Sequence, residues 1–309
     1  MKLIHGDCLL ESEQIENGSV DLILTDLPYG TMNGFAGIDW DFAIDPIKVF
    51  EIANRILRKN GKMVLFSQEP YTSRLITQAI ANVPFSYRMI WEKDDFANAL
   101  LANKAPVSYF EDVLVFSKRF DNELKNPIRK ILKKILENKG VKWNDDMIIT
   151  RLLESGIASN KPSAITIAMH KFKYDYAQIE PMTKKQWDLF SGIFNYPISF
   201  EEFRKLNKDY SASTFNLWQG NKYKSNILKY KKDYDGYHPT QKPVLLLEDL
   251  IKTFSNENDL VVDLTMGSGS TGVACVNTNR NFIGIEMKDE YFKIAESRVN
   301  IANSQGRLF

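Results

Sequence analysis

A chain of 309 residues is long enough for one large domain or two small ones, and its 44% hydrophobic and 26% charged content is that of a folded globular protein. No apolar run approaches about 18 residues and the opening Met1–Gln14 lacks the apolar stretch of a signal peptide, so neither a membrane partner nor export is expected and the location is read as cytoplasmic. Two cysteines (Cys8, Cys275) and three histidines (His5, His170, His238) exclude a disulfide framework and a Cys- or His-rich metal centre. The net charge of +1 hides an asymmetry. Residues 118–235 hold 23 Lys/Arg against 14 Asp/Glu, a net of +9, whereas the rest hold 17 against 25, a net of −8. Such a middle either meets a polyanion or carries a solvated lysine-rich surface.

From the N-terminus, short β-branched or apolar runs at Lys2–His5, Val20–Thr25, Lys62–Ser67, Ser86–Glu92 and Asp112–Ser117 read as strands. Between them Asp45–Lys59 has helical apolar spacing, with Asp45 placed to cap it and Pro46 at its first position, and Glu69–Asn82 reads as another helix. The middle is helical in pattern. Asn126–Lys139 brings Arg129, Lys130, Lys133 and Lys134 together at helical spacing, and Thr183 with Gln186 and Ser199 with Glu202 form capping-box signatures. Asp145–Glu154 and Pro162–His170 flank a turn as a loose helix-turn-helix pattern. Phe172, Tyr174, Tyr176 and Trp187 interleave with lysines, and each is expected first as core of a small helical subdomain. The C-terminal region alternates again, with helix Pro243–Ser255, strand Leu260–Thr265, helix Ser270–Thr278, strand Asn281–Glu286 and helix Lys288–Ala302. Neither end has strands enough for a doubly wound sheet, but together they do, so one α/β domain built from both ends and interrupted by the middle is predicted.

Gly267-Ser-Gly269-Ser-Thr-Gly272 follows a strand and opens a helix, with Glu286 ending the next strand 19 residues after Gly267. Glycines let backbone approach a nucleoside cofactor closely, and the acid accepts hydrogen bonds from ribose hydroxyls. A P-loop lysine is missing, so a nucleoside triphosphate is disfavoured. Alone, this segment suits NAD or S-adenosylmethionine equally, or a plain tight turn. Asp26-Leu-Pro-Tyr29-Gly30, directly after the strand at Val20–Thr25, decides between them. An amine to be methylated must present its lone pair, and two acceptors on its hydrogens draw it there. The Asp26 carboxylate supplies one and the Leu27 carbonyl the other, while Pro28 stiffens the turn and Tyr29 offers a face for an extruded base.

These segments resemble the β-class DNA amino-methyltransferases. The resemblance rests on DLPYG at 26–30, HPTQKP at 238–243, DLTMGSGSTG at 263–272, IGIEMKDEYF at 283–292 and the opening IHGDCLL. It implies a Rossmann-like methyltransferase sheet, mostly parallel with one antiparallel hairpin edge, built from residues 1–118 and 215–309 around a helical target-recognition insertion at 119–214. It implies S-adenosylmethionine as cofactor and double-stranded DNA as partner. Asp26, Leu27, Pro28 and Tyr29 would form the catalytic segment. Asp263, Gly267 and Gly269 would cradle the cofactor, Glu286 would take its ribose, Asp7 would lie near its adenine, and Thr240 and Lys242 near its methionine end. Lys130, Lys133 and Lys134 are the phosphate candidates, and residues 145–190 the base readers.

The family's usual segment is Asp-Pro-Pro-Tyr, and Leu27 departs from it at a position thought to act through its carbonyl. Aspartate at 26 favours adenine N6, with cytosine N4 as the alternative acceptor. A DNA-binding regulator with an inactive methyltransferase core is a third reading, countered by the intact Asp26, Tyr29, glycine turn and Glu286. A hydride-transferring enzyme finds no acid–base constellation to support it. A second copy of the chain and a cognate restriction endonuclease are partners the sequence leaves open, together with the DNA target.

Overall fold

Leu22, Ile23 and Leu24 are consecutive and all fully buried, which a strand permits only when both of its faces are covered. Ile23 enters one apolar cluster, Leu22 and Leu24 another, and the same alternation recurs along Met63–Phe66 and Val113–Phe116. The strands are β1 (Lys2–His5), β2 (Val20–Asp26), β3 (Leu57–Ser67), β4 (Phe85–Ala97), β5 (Ser108–Ser117), β6 (Ile227–Lys229), β7 (Leu260–Asp263) and β8 (Asn281–Glu286). They form one sheet in the order β1-β8-β7-β2-β3-β5-β4-β6. Among the described residues only β5 runs against its neighbours, pairing antiparallel with β3 and β4, and β6 lies beyond the hairpin, parallel to β4. This computed structural model describes residues 1–30, 43–97, 103–104, 106–233, 236–237 and 240–305. His238 and Pro239 of HPTQKP lie outside the described residues.

The helices in chain order are α1 (Cys8–Glu11), α2 (Pro46–Ile56), α3 (Tyr71–Thr77), α4 (Ile128–Lys139), α5 (Asp146–Glu154), α6 (Lys161–Phe172), α7 (Lys184–Ser191), α8 (Phe200–Tyr210), α9 (Val244–Phe254), α10 (Ser270–Asn277) and α11 (Asp289–Gln305). One sheet face is covered by α2 and α3 through Val49, Phe50, Ala53, Tyr71 and Leu75. The other is covered by α9, α10 and α11 through Leu246, Leu250, Phe254, Cys275 and Ala295. The Asp45 carboxylate caps α2 at the Ile47 N–H with Pro46 at the first position, as its sequence predicts. That helix stops at Ile56 rather than Lys59, because Leu57 is taken into β3 opposite Val20 and Asn60 turns left-handed (φ 63°). Pairing overrides the helical propensity of Leu57-Arg58-Lys59. α3 is shorter than Glu69–Asn82 because Val83, fully buried, is drawn onto the core in a turn closed by its N–H on the Ile80 carbonyl.

The described residues form two compact units, Met1–Arg119 with Ser213–Phe309, and Phe120–Ala212. In the second unit α4–α8 enclose one apolar cluster that includes Phe172, Trp187, Phe190 and Phe203. Trp187 stacks on Tyr196 at 3.7 Å between centroids, and of the four aromatics Phe172 and Trp187 are buried core, whereas Tyr174 and Tyr176 are half-buried. Both capping boxes form, Thr183 with Gln186 and Ser199 with Glu202. Arg129 departs from the basic group on its helix. It is buried, pairs with Asp121 at 3.2 Å, and donates to the carbonyls of Tyr174, Tyr176 and Ala177 at 2.7, 2.8 and 3.3 Å. Lys130, Lys133 and Lys134 remain exposed.

Arg129→Met should therefore destabilise the protein by about 3–5 kcal/mol, the cost of leaving the buried Asp121 carboxylate without its cation. Equilibrium urea unfolding of the full chain measures it, and Lys134→Met is expected to change little by comparison.

Candidate active site

The parallel strands β1, β8, β7, β2 and β3 end along one edge of the sheet, with His5 opposite Glu286, Asp263 opposite Gly284 and Asp26 opposite Phe66. Strand ends are where side chains leave the core without breaking the ladder, and where open α/β sheets bind ligands. Asp7, Asp26, Tyr29, Thr240, Lys242, Asp263, Gly267 and Glu286 all line one cavity of about 490 Å³ there.

On β2 the chain turns out of the sheet immediately after Asp26. The Leu27 side chain is 2% exposed and packs into the core beneath α2, which pins the turn from below. The Asp26 carbonyl accepts the Thr265 hydroxyl at 2.9 Å, and Thr265 in turn meets the Thr25 hydroxyl at 2.9 Å. Tyr29 donates its O–H to Asp26 Oδ1 at 2.7 Å and lies 5.7 Å from the Tyr71 ring, whose own O–H is held by the Ile44 carbonyl. Burial, then the Asp26 and Glu111 charges, push the Tyr29 phenol far above its usual range, so it stays a donor. Gly30 closes the turn at φ +74°, where a Cβ would sit 2.9 Å from that of Ala43.

The second oxygen of Asp26 is held by Lys242 Nζ. Lys242 also faces Glu111 Oε2 at 3.2 Å, and Lys93 holds Glu111 Oε1 at 2.5 Å. The side chains of Lys93, Glu111 and Lys242 are 3%, 11% and 8% exposed, so this is a buried chain of alternating charge that ends at Asp26. Burial lowers Lys242, but Asp26 and Glu111 outweigh it and hold the ammonium above its usual range. Burial raises the Asp26 carboxyl, with Lys242 opposing and Glu111 adding. The sequence points to Lys242 but to neither Glu111 nor Lys93. Lys93 lies in the charged run Glu92-Lys93-Asp94-Asp95 and Glu111 beside Asp112, so both read as polar ends of their strands.

On the glycine-turn side, Glu286 Oε2 accepts the Gly267 N–H at 2.9 Å and Oε1 the Lys288 N–H at 2.8 Å, which aims the carboxylate along the cavity wall. Gly269 sits at the start of α10 with φ +82°, and a Cβ there would meet that of Ala295 at 2.8 Å. Asp263 is 3% exposed, with one oxygen on the Thr265 N–H and the other on the Thr271 hydroxyl at 2.6 Å, so its carboxyl ties the turn to α10. Asp7 caps α1 through the Leu9 N–H at 2.9 Å. Gln241, also in the wall, has both amide atoms buried without a hydrogen-bond partner among the described residues. The residues fit the cofactor that the resemblance implies. Acidic groups suit its sulfonium and ammonium, Glu286 keeps acceptor capacity for paired hydroxyls, and the Gln241 amide awaits polar partners.

In the helical unit, Lys133 is an exposed lysine that ion-pairs with Glu137 at 3.7 Å. His170 lies 5.2 Å edge-on from Tyr176 and 4.0 Å from Glu180, a packing role. This unit carries 16 Lys/Arg against 12 Asp/Glu, a net of +4. The other +5 of the basic middle lies in residues 118–119 and 213–235, where Lys118 is buried against the carbonyls of Asn54 and Leu57. Among the described residues no helix is long and apolar enough to cross a membrane.

A family described as DNA methylase matches residues 20–297. DNA adenine methyltransferase YhdJ of Escherichia coli (strain K12) is 25% identical over 311 residues, covering 97% of this chain and 83% of that protein. Type II methyltransferase M.HindIII of Haemophilus influenzae is 26% identical over 348 residues, covering 97% and 95%. Among solved structures, the M1.HpyAVI–SAM complex superposes with a TM-score of 0.53 at 20% identity over 97% of this chain and 98% of that one, a likeness of fold.

Burial, opposed by hydrogen bonds from Thr271, Thr25 and Thr265, raises the Asp263 carboxyl from 3.8 to about 6. The folded state therefore holds the proton more tightly than the unfolded chain, and the associated stability is present in full below about pH 4 and lost as pH rises through 6. Wild type should lose about 2 kcal/mol through this group between pH 4 and pH 7, and Asp263→Asn should lose that slope; urea unfolding across pH reads both.

Proposed function

The chain belongs to the DNA methylase family, and from that we propose that it methylates the N6 amine of adenine at a specific site in double-stranded DNA, with S-adenosylmethionine as donor. One observation carries the reading. Asp26 and Tyr29 at the end of β2 share a cavity with Gly267 of the glycine turn and with Glu286, at the ends of β7 and β8, while Gly269 lies outside the lining and packs against Ala295. The adenine acceptor is supported by the name and nearly full coverage of YhdJ and by aspartate at position 26.

The bound cofactor supplies a methyl group already activated on sulfur. Glu286 would bind its ribose, the Gly267 and Gly269 backbone would admit it closely, Asp263 would hold that turn, Asp7 would lie at its adenine, and Thr240 and Lys242 would close the opposite wall. The chain's own work is positioning. The Asp26 carboxylate and the Leu27 carbonyl accept the two amine hydrogens, which turns the nitrogen lone pair outward. Tyr29 already donates to Asp26 Oδ1, so the incoming amine shares or displaces that contact. Pro28 and the buried Leu27 side chain keep the acceptors from relaxing away, and Tyr29 stacks on the flipped base. Nothing here requires a base that removes the amine proton before transfer.

Lys130, Lys133 and Lys134 would contact phosphates, and the helices within residues 145–190 would read bases. Type II naming of M.HindIII supports a cognate restriction endonuclease as partner, and a second copy of the chain is proposed alongside it, which sedimentation tests directly. Two free, buried cysteines suit the reducing cytoplasm, where we place the protein.

Purified protein should transfer labelled methyl to duplex DNA, and digestion should yield N6-methyladenine rather than N4-methylcytosine by mass spectrometry. Asp26→Ala should lower transfer by roughly 10²–10³ or more while DNA binding persists. Replacing Lys130, Lys133 and Lys134 by alanine should flatten the salt dependence of DNA binding, by about 0.9 in the log–log slope for each phosphate that is no longer neutralised.

A further inference from the structure

The buried charges behind Asp26 exceed what the proposed reaction uses. Lys93 on β4, Glu111 on β5 and Lys242 before α9 come from three separate elements, and each is nearly sequestered from water. A buried ion pair seldom adds net stability over apolar packing. Here two cations and two anions alternate in a single line, Lys93 to Glu111 at 2.5 Å, Glu111 to Lys242 at 3.2 Å, and Lys242 to Asp26. At the end of that line, the other Asp26 oxygen takes the Tyr29 hydroxyl in the cavity wall.

We infer that Glu111 and Lys93 are positioning residues for Asp26, acting through Lys242 to hold its carboxylate ionised and oriented toward the acceptor amine. The inference rests on the methyltransferase reading and deepens it. Lys242 first, and Lys93 with it, keep Glu111 anionic against its burial. Glu111 then shares the Lys242 ammonium with Asp26, so the cation neither collapses wholly onto the catalytic carboxylate nor leaves it. Without Glu111, one buried cation would face Asp26 alone and compete with the amine for its oxygens. Without Lys242, Asp26 would face Glu111 as a like charge.

The groups facing Asp26 are Tyr29 from its own turn, Lys242 from the segment before α9, Glu111 from β5 and Asp263 from the end of β7. Behind them stand Tyr71 on Tyr29, and Lys93 and Lys232 on the far side of Glu111. Activity needs Asp26 as carboxylate, so its rate should fall as pH drops through the Asp26 titration. Removing a negative neighbour moves that titration to lower pH, and removing a positive one moves it to higher pH.

The test compares wild type with Glu111→Gln, Lys242→Met and Lys93→Gln, each checked for folding by circular dichroism and thermal melting. The Asp26 side-chain carboxyl is followed by carbon-13 NMR in cofactor-free protein, assigned by its loss in Asp26→Asn. The titration should move down in Glu111→Gln and up in Lys242→Met and Lys93→Gln, and the acid limb of kcat should move the same way. In Glu111→Gln, kcat should fall roughly 10- to 100-fold, as with outer-layer partners of other reactive groups, with S-adenosylmethionine affinity by calorimetry unchanged. Any one variant that fails to fold leaves the sign rule to be read from the others. Titrations that stay put, or that move the same way whichever charge is removed, overturn the inference, as does a Glu111→Gln loss confined to cofactor affinity. Wild type that methylates no DNA yet obeys the sign rule would overturn the reaction instead.

Discussion

β2 and β7 lie more than 230 residues apart in sequence yet share a parallel ladder, Leu22 beside Val261 and Ile23 beside Val262. That pairing sets everything the active edge can do. It brings the turn after Asp26 and the turn after Asp263 side by side, and the two are then stitched by hydroxyls, Thr265 donating to the Asp26 carbonyl and meeting Thr25. A one-residue slip would flip every side chain on β2 to the opposite face and send Ile23 out of its cluster. The register is therefore held by burial on both faces, and the functional geometry inherits that rigidity. Two halves of the catalytic unit that arrive from opposite chain ends need no local linkage, because the sheet supplies it.

The site follows the opposite logic. Asp263 is kept buried at a carboxyl raised to about 6, and the line from Lys93 to Asp26 places four charges where apolar packing would cost less. Local departures of this kind gather where function demands them and are carried by the surrounding core. The two apolar layers around β2, β3 and β5, with their many fully buried side chains, provide that support. The result is a wall of fixed dipoles and charges that need not reorganise when a ligand enters.

Much of this was legible in the sequence, for identifiable reasons. β1 and β8 match their predicted spans, and the Asp45 and capping-box helix starts form as their residues dictate, because period-2 burial and caps are local signals. What was not legible depends on direction or distance. Arg129 and Lys130 are neighbours on one helix, yet one is wrapped around three carbonyls and the other is exposed, since a turn of about 100° separates core from solvent. Lys118 counts toward a basic surface by sequence but is buried against α2 and β3 carbonyls. Glu111 and Lys93 read as polar ends of strands, and only the pairing of β4 with β5 and the return of residue 242 bring them into line behind Asp26. β6, three residues long, has no periodicity to detect, and it exists because β4 offered an edge.

A proline at position 27 would stiffen the turn after Asp26 by fixing φ and would remove an N–H. Leucine does neither, but its side chain is 2% exposed and reaches a cluster shared with α2. Burying a leucine side chain contributes about 1.5–3 kcal/mol, and any motion that carried the Leu27 carbonyl away from its place would have to withdraw that side chain from the core. Rigidity that a ring would supply through bonds is supplied here through packing. Pro28 still restrains the turn, and Gly30 still allows the left-handed exit that lets Tyr29 fold back onto Asp26. The carbonyl's position is thus set by the same apolar layer that sets the register of β2, so the proposed acceptor geometry and the fold stand on one foundation.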